Sequence, residues 1–215
     1  MNLQSQFIKS TEIHIKNLLE AEGTGHDWWH IDRVRINALA IASHYPVNEF
    51  VVEMAALLHD IADHKFHDGD ENIGPQKATE LLTSMGVGEV EIREIVTIIR
   101  EISFSKGLVP STLEGKIVQD ADRLDAIGAI GIARAFAYGG HKQRLIYHPD
   151  IPPTLYTSKD EYKKSTSPTI NHFYEKLLLL SDLMNTEEAK KLATERHKFM
   201  ELYLNQFFDE WKGVK

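Results

Sequence analysis

The chain has 215 residues, 42% of them hydrophobic and 26% charged, with 24 Lys plus Arg against 32 Asp plus Glu for a formal net charge of -8. That is the composition of one ordinary globular domain of generous size, and it disfavours duplex nucleic acid held on a broad basic face. The absence of cysteine excludes disulfides, thiolate zinc sites and a cysteine nucleophile.

Helical spacing dominates from the start. Phe7, Ile8, Ile15, Leu18 and Leu19 predict a first helix ending near "EGTG" (22–25). A second begins around Trp28 and places Ile31, Val34, Ala38 and Ile41 on one face. After Pro46 comes an apolar helix, "VVEMAALLHDIAD", that ends in an imidazole beside a carboxylate, His59 and Asp60. Then follow a polar loop (63–75), helices at 76–86 and 89–102, and a long small-residue helix at 113–140. The stretch 141–168 carries four of the seven prolines without clear periodicity. A loop that long inside a compact domain is usually functional or mobile. A last amphipathic helix carries Phe199, Tyr203, Phe207 and Trp211 at i, i+4 steps. No stretch alternates at period two, so the expected fold is all-α, a single domain over 1–215 with an insertion at about 141–168. The N-terminus has no apolar leader, and no run of about 18 apolar residues occurs. A cytoplasmic protein that does not enter a membrane is therefore expected.

His59 and Asp60 pose the chemical question, since a charge in apolar surroundings needs a partner or a metal. An adjacent His–Asp pair is weak evidence taken alone. On the 113–140 helix one line runs Val118, Asp122, Asp125, Ala129, Ile132, Phe136. Asp122 and then Asp125 are the favoured buried acids on this line, whereas Asp120 falls on another face and suits the helix dipole. His26 and His30 are at i, i+4 in "HDWWHIDRV". On that segment alone, core tryptophans with histidines bonded to backbone carbonyls are the favoured reading.

In combination, His30, His59–Asp60 and Asp122 resemble the signature of the HD-domain superfamily, α-helical metal-dependent phosphohydrolases. The segments "GHDWWHIDRV", "LLHDIADHKF", "QDADRLDAIGAIGIAR" and "NHFYEKLL" look like a bacterial subfamily of nucleotide phosphohydrolases or pyrophosphohydrolases. The resemblance covers most of the chain from about residue 24. It implies His30, His59, Asp60 and Asp122 as ligands of one divalent ion, with Mn²⁺ first and Mg²⁺, Co²⁺, Ni²⁺ or Fe²⁺ as alternatives. The expected activity is a pyrophosphohydrolase that takes (deoxy)nucleoside triphosphates to monophosphates. A 5′-nucleotidase, a triphosphohydrolase and a non-catalytic metal-containing nucleotide sensor are the rivals.

Around the ligands, Asp63 is a candidate base for water and His26 a substrate contact or proton donor. Lys65 and Arg123 are candidates for neutralising phosphate charge. Asp125, Lys142, Arg144 and Tyr147 complete the substrate-binding candidates, with Tyr147 placed to stack on a base. Solvated loop charges and surface ion pairs are the plainer alternative for each. His64, His67, Asp68 and Asp70 are crowded into a Gly-containing turn and read as solvated. The acidic pair that follows the His–Asp in guanosine tetraphosphate hydrolases is absent, which disfavours that substrate. The last helix's aromatic stripe reads as core, and a homodimer stays open.

Overall fold

The computed structural model describes residues 2–19, 27–62, 72–102, 108–155 and 166–214. Among these there are nine α-helices and no strand, so the expected all-α class holds. Two compact units divide the chain, Met1–Asp122 and Arg123–Lys215.

The first unit is organised around one helix. It contains α1 (Leu3–Leu19), α2 (Trp28–Ala42), α3 (Glu49–Leu58), α4 (Ile73–Met85), α5 (Glu89–Glu101) and most of α6 (Leu113–Asp125). Helix α3 begins at Asn48, whose side chain accepts from the Val51 N–H, and then buries Phe50, Val51, Val52 and every residue from Met54 to Leu58. A helix apolar all round must be enclosed, and α1, α2 and α5 enclose it. They supply Ile15, Ile31, Val34, Ile41, Ile95 and Ile98, each almost wholly buried. Within the run from Phe50 to Leu58, Glu53 is the polar residue, and it meets Arg35 of α2 at 2.6 Å.

Helix α4 stops where its chemistry says it should. Gly86 adopts φ +80°, a left-handed conformation that glycine takes without a Cβ penalty. The Gly86 N–H donates to the Thr83 carbonyl and the Val87 N–H to the Leu82 carbonyl. These are the paired bonds that satisfy a helix's last acceptors. In α6, Gln119 is buried and donates from Nε2 to the carbonyls of Leu108 and Ile102.

The second unit contains α7 (Gly128–His141), α8 (Thr169–Glu175), two short 3₁₀ turns and α9 (Glu187–Trp211). Helix α7 packs on α9 and α8. Their meeting is aromatic, with Phe173 stacked on Tyr203 at 5.9 Å between ring centroids and Phe136 against both. Phe199, expected in this stripe, is instead 47% exposed. Helix α9 turns Ala189, Ala193, Met200 and Leu204 inward, one residue round from the aromatic line at its middle.

The long helix expected at 113–140 is two helices. Ala126 and Ile127 interrupt it and Gly128 takes φ +74°, which turns the chain while the apolar periodicity runs on. Side chains fasten the break. Arg134 pairs with the Asp125 carboxylate at 2.8 Å, and Arg196 donates to the Leu124 carbonyl. The described parts of the 141–168 stretch carry no regular structure beyond His141, yet are tied down. Thr169 and Ile170 N–H groups donate to the carbonyls of Leu145 and Ile146. The Glu175 carboxylate accepts from Ser167 Oγ and the Thr154 N–H, and Asn171 Nδ2 donates to the Ile151 carbonyl.

Candidate metal centre

Three helix ends or edges of the first unit bring four side chains together. His30 is the third residue of α2, just inside its N-terminus, and is wholly buried. Asp27 precedes that helix in extended backbone, and its Oδ1 accepts from the His30 N–H at 2.9 Å. This side chain satisfies one of the donors a helix start leaves open. Trp28, next to it, is 5% exposed and seats the first turn in the core.

His59 and Asp60 lie just past the end of α3, in a turn that continues its direction. His59 Nδ1 is 2.7 Å from the Ala56 carbonyl. A carbonyl only accepts, so in the neutral ring Nδ1 carries the hydrogen and Nε2 keeps its lone pair. That lone pair faces His30. The two Nε2 atoms are 3.2 Å apart, with the rings edge to face at 72°.

The carboxylates close the arrangement. Asp60 Oδ2 lies 3.6 Å from His30 Nε2 and 3.7 Å from His59 Nε2. Asp122 Oδ1, from α6, lies 3.6 Å and 4.0 Å from the same two atoms. An octahedral ion with bonds of about 2.1 Å holds neighbouring donors about 3.0 Å apart and opposite donors about 4.2 Å apart. Each carboxylate lies within 4.0 Å of both imidazole nitrogens, the scale of donors that share one ion. His30, His59 and Asp60 alone form a compact set with all donor atoms within 4.8 Å of one another. The His30 and His59 side chains are 0% and 3% exposed, those of Asp60 and Asp122 21% and 34%. The imidazoles therefore form the sealed back of the site and the carboxylates its open side.

The placement of the acids differs from the sequence expectation in one respect. Asp120, assigned to the helix dipole, is fully buried, whereas Asp122 is the more exposed of the two. Helix α6 buries Ile117, Val118, Asp120, Ala121 and Leu124 on more than one side, so a single stripe does not define its interior.

The other sequence candidates divide by position. His26, Asp63 and Lys65 lie outside the described residues, as do His64, His67, Asp68 and Asp70. Arg123, Asp125, Lys142, Arg144 and Tyr147 belong to the second unit. There Arg123 donates to the Leu183 carbonyl, and Asp125 is buried against Arg134. Lys142 and Arg144 each lie 5.7 Å from the centroid of the Tyr138 ring. Tyr147 packs edge-on to Phe207, Phe208 and Trp211.

Two contributors escaped the sequence reading. Asp27 carried a usable signal, an aspartate directly before a helix start and three residues ahead of a proposed ligand. The Ala56 carbonyl carried none, because a backbone acceptor leaves no trace in residue identity.

Comparison with known proteins gives the same family by independent routes. The HD domain family matches residues 28–127, a span that includes all four converging residues. The protein YpgQ of Bacillus subtilis is 37% identical over 204 residues, covering 93% of this chain and 91% of YpgQ. Its crystal structure in complex with ADP aligns at 35% identity and TM-score 0.77, over 97% of each chain. An HD-superfamily hydrolase from Bacillus thuringiensis is 44% identical with TM-score 0.77, over 97% of this chain and 98% of that one. A structure from Lactobacillus plantarum reaches TM-score 0.84 at 38% identity, with 97% and 98% coverage.

Proposed function

The chain belongs to the HD domain family, and on that premise we propose that it is a divalent-metal-dependent hydrolase of nucleotides. Its reaction converts a (deoxy)nucleoside triphosphate and water to the monophosphate and pyrophosphate. The observation that carries this reading is the convergence of His30 Nε2, His59 Nε2, Asp60 Oδ2 and Asp122 Oδ1 within 4.0 Å of one another's imidazoles. Two imidazoles and two carboxylates suit a first-row ion better than Mg²⁺, which prefers oxygen donors and water. Mn²⁺ is the favoured ion, on the family resemblance.

Such an ion supplies polarisation of a phosphoryl oxygen and activation of water for attack. The protein's part is positional. His30 and His59 would hold the ion from the buried side, and the more exposed Asp60 and Asp122 would leave the substrate approach open. Asp63 follows Asp60 by three residues and is assigned to take the proton from the attacking water. His26 is assigned to give a proton to the leaving oxygen, and Lys65 to offset phosphate charge. One P–O bond forms to water, one anhydride P–O bond breaks, and pyrophosphate leaves with that bond's electron pair.

ADP bound to YpgQ supports a nucleotide as the ligand. It speaks for binding and not for turnover, so a metal-containing nucleotide sensor is the second reading. Phosphorus-31 NMR of a deoxynucleoside triphosphate with Mn²⁺ and protein separates the two. Pyrophosphate plus monophosphate, lost in His59→Ala, is the expected result. Orthophosphate or inorganic triphosphate would move the attacked bond, and an unchanged spectrum with several nucleotides would leave the sensor.

A further inference from the structure

We propose that Asp27 is a positioning residue for the metal centre, acting through the backbone of His30. The inference rests on the metal reading above and extends it to a residue that touches no ion. Asp27 stands immediately before α2, with φ -78° and ψ 176°. Its Oδ1 accepts from the N–H of His30 at 2.9 Å, while its own carbonyl accepts from the same N–H at 3.1 Å. The residue whose backbone is clamped is the ligand itself.

A helix start frays when its open donors have no acceptor, and His30 sits in that first turn. Metal ligation tolerates displacements of only about 0.2 Å in donor distance. The 3.2 Å approach of the two Nε2 atoms therefore depends on a fixed first turn of α2. Trp28, buried beside Asp27, anchors that turn from the core side. The Asp27 cap fastens it at the chain end of α2. His59 needs no such cap, since it follows the C-terminal end of a helix enclosed along its length and its Nδ1 is held by Ala56.

The test is calorimetric titration of Mn²⁺ into chelator-treated protein, with thermal unfolding of the metal-free form in parallel. Asp27→Ala is expected to weaken Mn²⁺ binding about five- to tenfold, the scale of one lost helix cap. Asp27→Asn keeps a side-chain acceptor and is expected to bind within about twofold of wild type. The control is Asn48→Ala, which removes the cap of α3 at the end far from His59. It is expected to lower stability as much as Asp27→Ala while leaving Mn²⁺ affinity unchanged.

Unaltered affinity in Asp27→Ala would overturn the inference. So would an equal loss in Asn48→Ala, since fraying near the ligand would then not be the cause. Failure of Asp27→Asn to recover binding would also overturn it, by making the carboxylate's charge the active feature. A wild type that binds no Mn²⁺ removes the metal reading and this inference with it. A protein that binds Mn²⁺ but hydrolyses no nucleotide leaves the inference standing.

Discussion

His30 Nε2 and His59 Nε2 face each other across 3.2 Å, although one residue sits in α2 and the other just past the end of α3, 29 positions apart in the chain. With His59 Nδ1 bonded to the Ala56 carbonyl, the neutral His59 ring turns a lone pair toward its partner. Two imidazoles, two carboxylates and an apolar back wall form a poor resting place for uncompensated charge. They form a good one for a cation.

Removal of either imidazole has a direct consequence. His30→Ala and His59→Ala should each weaken Mn²⁺ binding by more than about 100-fold, because loss of a ligand exceeds the effect of losing its supporting partners. Calorimetry on chelator-treated protein measures this, and circular dichroism should show the helices retained. Binding within tenfold of wild type in both variants would contradict the assignment.

The two carboxylates should respond alike to neutralisation. Asp60→Asn and Asp122→Asn keep volume and remove charge, so both should cost metal affinity and turnover. Thermal stability of the metal-free protein should hold or rise, because each variant lowers the negative charge gathered beside the two imidazoles. A melting temperature lowered by several degrees in both metal-free variants would argue that the acids are structural.

The apolar enclosure of α3 gives a stability prediction independent of chemistry. Leu57→Ala empties space around a fully buried side chain and should destabilise by about 2–5 kcal/mol. Denaturant unfolding without metal checks it, and a cost below about 1 kcal/mol would mean that α3 is not tightly enclosed.

Gly128→Ala tests the break between α6 and α7. The position requires φ +74°, and an added Cβ would stand 3.0 Å from the Arg196 stem. Together these should cost at least about 1 kcal/mol. Neutral unfolding behaviour would show that the turn relaxes freely.

His172 gives a pH signature. Burial first, then the charges of Lys176 and Arg144, push its pKa from 6.5 down to about 3. Between those values the unfolded chain binds a proton that the folded chain refuses, so stability falls as pH drops through this window and rises as pH climbs back. His172→Gln should flatten that slope when urea midpoints are compared between pH 7.5 and 4. An unchanged slope would mean that other groups set it.

Much of this architecture is legible in the sequence, and the exceptions have physical causes. The unbroken apolar run Val51–Leu58 announced a buried helix, and a His–Asp pair at its end announced a need for a partner. The apolar line on the 113–140 helix drew out Asp122, and family resemblance then selected His30 from eleven histidines, a choice that spacing could not make. The break at Ala126–Ile127 stayed hidden because Ile127, Ile130 and Ile132 continue a helical pattern straight through it. The burial of Asp120 stayed hidden because α6 is covered on several sides, and periodicity detects only one. Phe199 misled for a related reason, since an i, i+4 aromatic series drifts around a 25-residue helix.

The most direct test of the central claim is an anomalous difference map at the manganese edge from crystals grown with Mn²⁺. The account predicts one strong peak bonded at about 2.2 Å to His30 Nε2, His59 Nε2 and a carboxylate oxygen of each of Asp60 and Asp122. An empty map at these four side chains, under Mn²⁺ concentrations that support nucleotide hydrolysis, would contradict it.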